Sequence, residues 1–131
     1  MNLPVAALLI SLLALILTKV ADIVTTLRGI RRSGGSVQWE QNPLARKAML
    51  RWGPLSGIAA VMVLWSLIIF ACYAPAFFAP AWYQIATAVG GFAIAWCQWD
   101  VARMNATGRH SWFSRLASRS YQTWQNLAGP K

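Results

Sequence analysis

No charged side chain occurs from residue 52 to residue 99, and none from residue 3 to residue 18. Runs of that length suit hydrocarbon, because a helix crossing about 30 Å of bilayer core needs about 20 mostly apolar residues. The longer run exceeds one crossing, and its prolines divide it. Pro75 and Pro80 cannot both sit inside one continuous helix, so residues 74–80 are expected to form a tight hairpin connection. Three apolar segments follow. The first covers residues 3–26, continuing as helix past Lys19 and Asp22; the second covers 55–73 and the third 81–104. Composition agrees, with 57% hydrophobic and 11% charged residues, against about 45–50% and about 25% in a soluble domain. A chain of 131 residues has room for one unit, and residues 1–131 read as a single membrane domain.

Twelve Lys and Arg stand against three Asp and Glu, a net charge of +9. On a soluble protein that excess points to nucleic acid; here its placement points to a membrane surface and no nucleic-acid partner is expected. Arg28, Arg31, Arg32, Arg46, Lys47 and Arg51 lie between the first two segments, and Arg103, Arg109, Arg115, Arg119 and Lys131 lie at or beyond the end of the third. The hairpin and the stretch before the first segment have none. Because cytoplasmic loops collect Lys and Arg, the expected protein is a multi-pass one of the bacterial inner (cytoplasmic) membrane, N-terminus outside and C-terminus cytoplasmic. Lys19 would snorkel from the inner end of the first span. That segment lacks the positive n-region and short apolar core of a signal peptide, and is expected to be retained.

The fold class is therefore all-α: a polytopic membrane protein with three transmembrane helices, a short cytoplasmic loop helix and a C-terminal amphipathic helix. In the cytoplasmic loop, residues 27–54, Ser33, Gly34, Gly35 and Ser36 read as a turn. Asn42 followed by Pro43 reads as an N-cap and first helical residue, with helix over 44–52. In the interfacial basic tail, residues 105–131, Phe113, Leu116, Ala117, Trp124 and Leu127 share one face, with Arg115 and Arg119 on another. This is the pattern of a helix lying on an anionic leaflet. Arg28, Arg31, Arg32, Arg115 and Arg119 are the expected lipid-headgroup contacts.

Helices in lipid associate through small residues and hydrogen bonds. In the first span Ala7, Ser11, Ala14 and Thr18 recur at helical spacing, and in the third Ala86, Gly90, Ala93 and Cys97 do the same. These eight residues are the expected packing seams, and seams meeting in parallel would bring Asp22 and Asp100 to similar depth. With Glu40 these are the only acids in the chain. Two readings stand. One is a polar cluster of Asp22, Thr25, Glu40, Asn42 and Asp100 that binds a cation, a proton or a polar headgroup, its oxygens being hard ligands. The other is pairing of each acid nearby: Asp22 with Lys19 or Arg28, Asp100 with Arg103, Glu40 with its own loop.

Catalytic chemistry has no such support. His110, the single histidine, lies beyond the spans, where no haem is expected. Ser11, Ser56 and Ser66 have no base on a neighbouring turn, and Cys72 and Cys97 fit neither a disulfide scaffold nor a metal spacing. Asn105 and Thr107 match a glycosylation acceptor only on the cytoplasmic side. Trp52, Trp82, Trp99 and Trp112 fit interfacial belts, whereas Trp65 falls mid-span, suited to contact with a helix, a lipid or a pigment. No cofactor is expected to be held by this chain alone.

Asp22 and Thr25 near the end of the first helix, then glycines, then Glu40, Asn42 and Pro43, resemble a family of short, functionally uncharacterised prokaryotic integral membrane proteins. Its signature reads Asp-x-x-Thr followed by Glu-x-Asn-Pro, and Asn105 is a further match. The resemblance spans roughly residues 13–105 and implies a helical membrane protein with a polar cluster at the inner face. The function expected from these features is a non-catalytic accessory or structural subunit of a larger membrane complex, energy-converting or photosynthetic, with other membrane subunits as partners. The alternatives are a small homo-oligomeric ion carrier or channel using Asp22 and Asp100, and a metal-dependent enzyme of lipid headgroups.

Overall fold

Proline or its absent N–H marks where the helices start. In the computed structural model, which describes residues 2–37, 40 and 43–108, these are α1 (Leu3–Arg32), α2 (Pro43–Trp52), α3 (Pro54–Ala76) and α4 (Ala81–Thr107). Pro4 sits in the first turn of α1, Pro43 and Pro54 open α2 and α3, and Pro80 precedes α4. At those positions the missing N–H has no intrahelical partner to lose. No strand occurs among the described residues. The architecture is all-helical; the expected helix in the basic tail lies outside the described residues, as do Asn42, Arg109, His110, Trp112, Arg115 and Arg119.

Helix ends depart from expectation by a few residues. α3 continues through Pro75 to Ala76, so the connection to α4 is shorter than the two prolines suggested. The chain turns as the last bonds tighten: Phe78 N–H donates to Pro75 O (3.2 Å) and Ala79 N–H to Ala76 O (3.2 Å). Gln84 then reaches back, donating to Ala79 O at 3.1 Å and Phe77 O at 3.4 Å. Two carbonyls of the hairpin, just beyond the end of α3, are thereby satisfied by a side chain of α4. Between α2 and α3 the turn is tighter still. Gly53 has φ 83°, a left-handed conformation that costs glycine nothing. Four residues on, Gly57 lies directly against α2: a Cβ there would meet the Met49 N at 2.5 Å.

α1 and α4 run parallel, in contact along nearly their whole length. Ser11 lies beside Gly91, Thr18 bonds Gln98, and Thr26 bonds Asn105, so contacts recur about every seven residues. Seven-residue recurrence is the geometry of a left-handed coiled-coil seam. α3 runs up to the hairpin antiparallel to α4 and touches it little. One apolar cluster joins Leu8, Leu15, Tyr73, Ala76, Ala88 and Ala95 near the hairpin; a second joins Ile30, Ala45 and Met49, with Ile58 and Val61 against them, near the loop.

Among the described residues two helices, rather than the three expected, are long and apolar enough to cross a membrane: α1 and α3, each with mean hydropathy 2.4 over its best window. α4 has the length, 27 residues, but Gln84, Gln98 and Asp100 lower its hydropathy.

Candidate functional site

Polar side chains along the α1–α4 seam are placed at three levels, each joining separate helices. Nearest the hairpin, the Ser11 hydroxyl donates to Leu8 O at 2.9 Å. Its one hydrogen is thus committed, so in the 2.8 Å contact with Tyr73 the phenol of α3 donates and Ser11 Oγ accepts. The bond fits only because Gly91 faces it. A Cβ on Gly91 would collide with the Tyr73 hydroxyl and lie 3.2 Å from Ser11 Oγ.

At the second level Gln98 of α4 bridges α1 and α3. Its amide is oriented with nitrogen toward α1, where it donates to Thr18 Oγ1 (2.9 Å) and Leu15 O (3.1 Å); its oxygen accepts from Trp65 Nε1 at 3.0 Å. The reverse orientation would allow a Thr18 to Gln98 bond but face the amide nitrogen toward the indole N–H. Network satisfaction decides between them. Thr18 meanwhile donates to Ala14 O at 2.8 Å. Trp65, read from sequence as suited to a helix, lipid or pigment, is held by a glutamine.

The third level is at the loop end. Asn105 donates to Thr26 Oγ1 at 3.2 Å, and beside that bond is a cavity of about 10 Å³ lined by Thr25, Thr26, Gly29, Ile30, Glu40 and Asn105. The space accepts about one water-sized sphere. Thr25 donates to Ala21 O and Asp22 O, both at 2.9 Å, so its oxygen offers the cavity only lone pairs. Of the expected polar cluster, Thr25 and Glu40 meet here. Asp22 and Asp100 do not line the space. Asp22 pairs with Lys19 at 2.9 Å, both side chains less than one-fifth exposed, and Asp100 pairs with Arg103 at 3.3 Å. No group of three or more His, Cys, Asp or Glu suited to a metal occurs among the described residues.

Seam residues divide by helix. On α1, Ser11 is buried and Ala7, Ala14 and Thr18 half-buried. On α4, Ala86, Gly90 and Ala93 are exposed and Cys97 half-buried; the buried stripe is Gln84, Ala88, Gly91, Ala95 and Ala102. Two overlapping small-residue stripes exist on α4, and the hydrogen-bonding partners on α1 and α3 select the one that carries the glutamines. The cysteines are free, and Arg28, Arg31 and Arg32 are exposed.

One open feature remains. Leu12 and Ile16 of α1 and Trp65, Ser66, Ile69, Phe70, Tyr73, Ala74, Phe77 and Phe78 of α3 and its hairpin line an apolar groove of about 500 Å³. Comparison with protein-family models, curated proteins and solved structures gives no match.

Proposed function

We propose that this chain is a three-span protein of the bacterial inner membrane, N-terminus outside and C-terminus cytoplasmic, that serves as a non-catalytic accessory subunit of a larger membrane complex. The observation that carries this reading is α3. Of its 23 residues only Gly57, Tyr73 and Ala76 are buried, yet it is apolar on every side. A helix of that kind is stable only against lipid or the helices of other subunits. The groove between α1 and α3 adds a concave apolar surface of the kind a partner packs into.

α4 joins as the third crossing because it lies parallel to α1 and in register with it. Its polar groups turn inward: Gln84 and Asp100 are buried, while Ile85, Val89, Phe92, Ile94 and Trp96 face outward. Polar groups turned to the interior and apolar ones outward suit a lipid surround. The exposed arginines at the loop end support the assigned orientation, and the family resemblance through Asp22, Thr25, Glu40, Asn42 and Pro43 is in keeping with it. The ion-carrier alternative draws less support. Asp22 and Asp100 each pair with a base one turn away, and every buried polar side-chain atom among the described residues has a partner.

Purification from native membranes in mild detergent, followed by intact mass determination, tests the proposal. Co-migration with other membrane subunits is expected. A chain that always runs alone, or only with copies of itself, refutes the subunit reading.

A further inference from the structure

We infer that the outward face of α2 is a binding surface for anionic phospholipid of the inner leaflet, an inference that rests on the proposed membrane placement of α3. Ala45 and Met49 are buried in one cluster with Ile30, and Ile58 and Val61 pack against it. At 3.6 residues per turn, Lys47, Leu50 and Arg51 lie on the opposite side of α2, Leu44 and Arg46 flank them, and all five are exposed. Trp52 closes the helix and is 54% exposed. Three cations and three large apolar side chains thus share a surface that the described residues leave open.

Position selects the occupant. α3 has 23 residues, a rise of about 34 Å, little more than the about 30 Å of hydrocarbon it would cross. Its first turns therefore lie at the edge of the bilayer. α2 joins α3 through Gly53 and folds back on it, with Met49 and Gly57 in backbone contact. This holds α2 at the headgroup layer, its open face turned away from the bundle. Leu44, Leu50 and Trp52 suit the boundary of the acyl chains, into which an interfacial helix sinks about 5–10 Å. Arg46, Lys47 and Arg51 reach phosphate from apolar stems. The Arg51 guanidinium lies 5.7 Å from the centre of the Trp52 ring, a cation–π arrangement that sets a fork suited to two phosphate oxygens beside the indole. Cations are in excess: residues 27–54 hold six, against the one acid Glu40, and anionic lipid attracts each cation near its surface. An acidic soluble protein would answer the charges but has no acyl boundary to offer Leu44, Leu50 and Trp52.

The test uses the full chain in non-ionic detergent, with native mass spectrometry reading the adducts formed as dioleoylphosphatidylglycerol or dioleoylphosphatidylcholine is added. The phosphatidylglycerol should bind at least about tenfold more tightly. Arg46→Gln, Lys47→Gln and Arg51→Gln together should bring the two lipids to within about threefold, whereas Leu44→Ser with Leu50→Ser should weaken both alike. In parallel, the parent is reconstituted with a phosphatidylglycerol carrying a diazirine on its acyl chain, irradiated and digested, and label on residues 43–52 is expected. Equal binding of the two lipids overturns the surface, as does a preference unchanged in the triple variant. Should that variant not fold, the photolabel on the parent decides: label confined to other segments overturns the proposal, and so does a polypeptide that displaces the label from residues 43–52 in native membranes. A chain that stays dissolved without detergent fails the membrane placement itself; one that needs detergent yet shows no lipid preference fails this surface alone.

Discussion

Two adjacent glycines in α4 make a matched experiment on which face of that helix holds the bundle together. Gly90 has nothing within 4 Å of the position its Cβ would take, whereas at Gly91 an added methyl runs into the Tyr73 hydroxyl and crowds Ser11. Alanine at either position gains the same helix preference, about 0.5–1 kcal/mol relative to glycine. The difference between the two variants therefore isolates the contact. At Gly91 the methyl must displace Tyr73, breaking a hydrogen bond worth about 0.6 kcal/mol on average and up to about 1.7 between helices in lipid. Overpacking costs about 1–3 kcal/mol more. Gly91→Ala should thus fall below Gly90→Ala by roughly 2–4 kcal/mol, with Gly90→Ala at or slightly above the parent. Unfolding by SDS titration of detergent-solubilised protein, followed by far-ultraviolet circular dichroism, measures the gap. Tyr73→Phe in the Gly91→Ala background removes the colliding oxygen and should recover part of the loss, a coupling that a double-mutant cycle reads directly. Equal stability of the two alanine variants would show that the seam does not run through Gly91, and a Gly90→Ala variant that is the weaker of the two would restore the face containing Ala86, Gly90 and Ala93.

Other perturbations probe the remaining levels. Gln98→Leu strands the Trp65 indole N–H and should cost about 1–3 kcal/mol in the same titration; adding Trp65→Phe should lessen the loss, and a further loss would mean that Gln98 and Trp65 are not coupled. Lys19→Met leaves the poorly exposed Asp22 without its partner and should destabilise more than Lys19→Met with Asp22→Leu, because an uncompensated charge costs more than an absent pair; the opposite order would show the pair to be stabilising in itself. For orientation, Lys47→Cys on a chain with Cys72 and Cys97 replaced by serine should react with a membrane-impermeant maleimide only after the cells are opened, and Phe78→Cys before. Labelling of position 47 in intact cells reverses the assignment.

Much of the scaffold was legible because it depends on local chemistry. Absent charge marked where α1 and α3 run, and Pro43 marked the start of α2. The contact face of α4 was not legible from smallness, because Ala86, Ala88, Gly90, Gly91, Ala93 and Ala95 place small residues on several sides of the helix. Smallness permits contact without selecting a partner. A different periodicity carried the missing information: Gln84, Gly91, Gln98 and Asn105 recur every seven residues, as do Ser11, Thr18 and Thr25; Gln98 bonds Thr18 across the seam, and Asn105 bonds Thr26, the neighbour of Thr25. Likewise Thr25, Glu40 and Asn105 were each visible as polar residues near the loop, but only the end-to-end alignment of α1 and α4 places them around one space.

The same polar spacing explains why the hydropathy of α4 falls below that of α1 and α3. Hydropathy averages a helix over all its faces, and each glutamine placed on the seam subtracts from that average while being invisible to lipid. Gln98 is no burden to the bilayer when its amide is spent on Thr18, Leu15 and Trp65, nor is Gln84 when it closes the hairpin carbonyls. A helix that supplies the hydrogen bonds of a membrane bundle must carry polar residues, and so must score below the helices it binds. In the proposed three-span arrangement α1 and α3 supply the apolar length, and α4, touching both through Tyr73, Trp65, Thr18 and Thr26, supplies the register that makes the three a single unit.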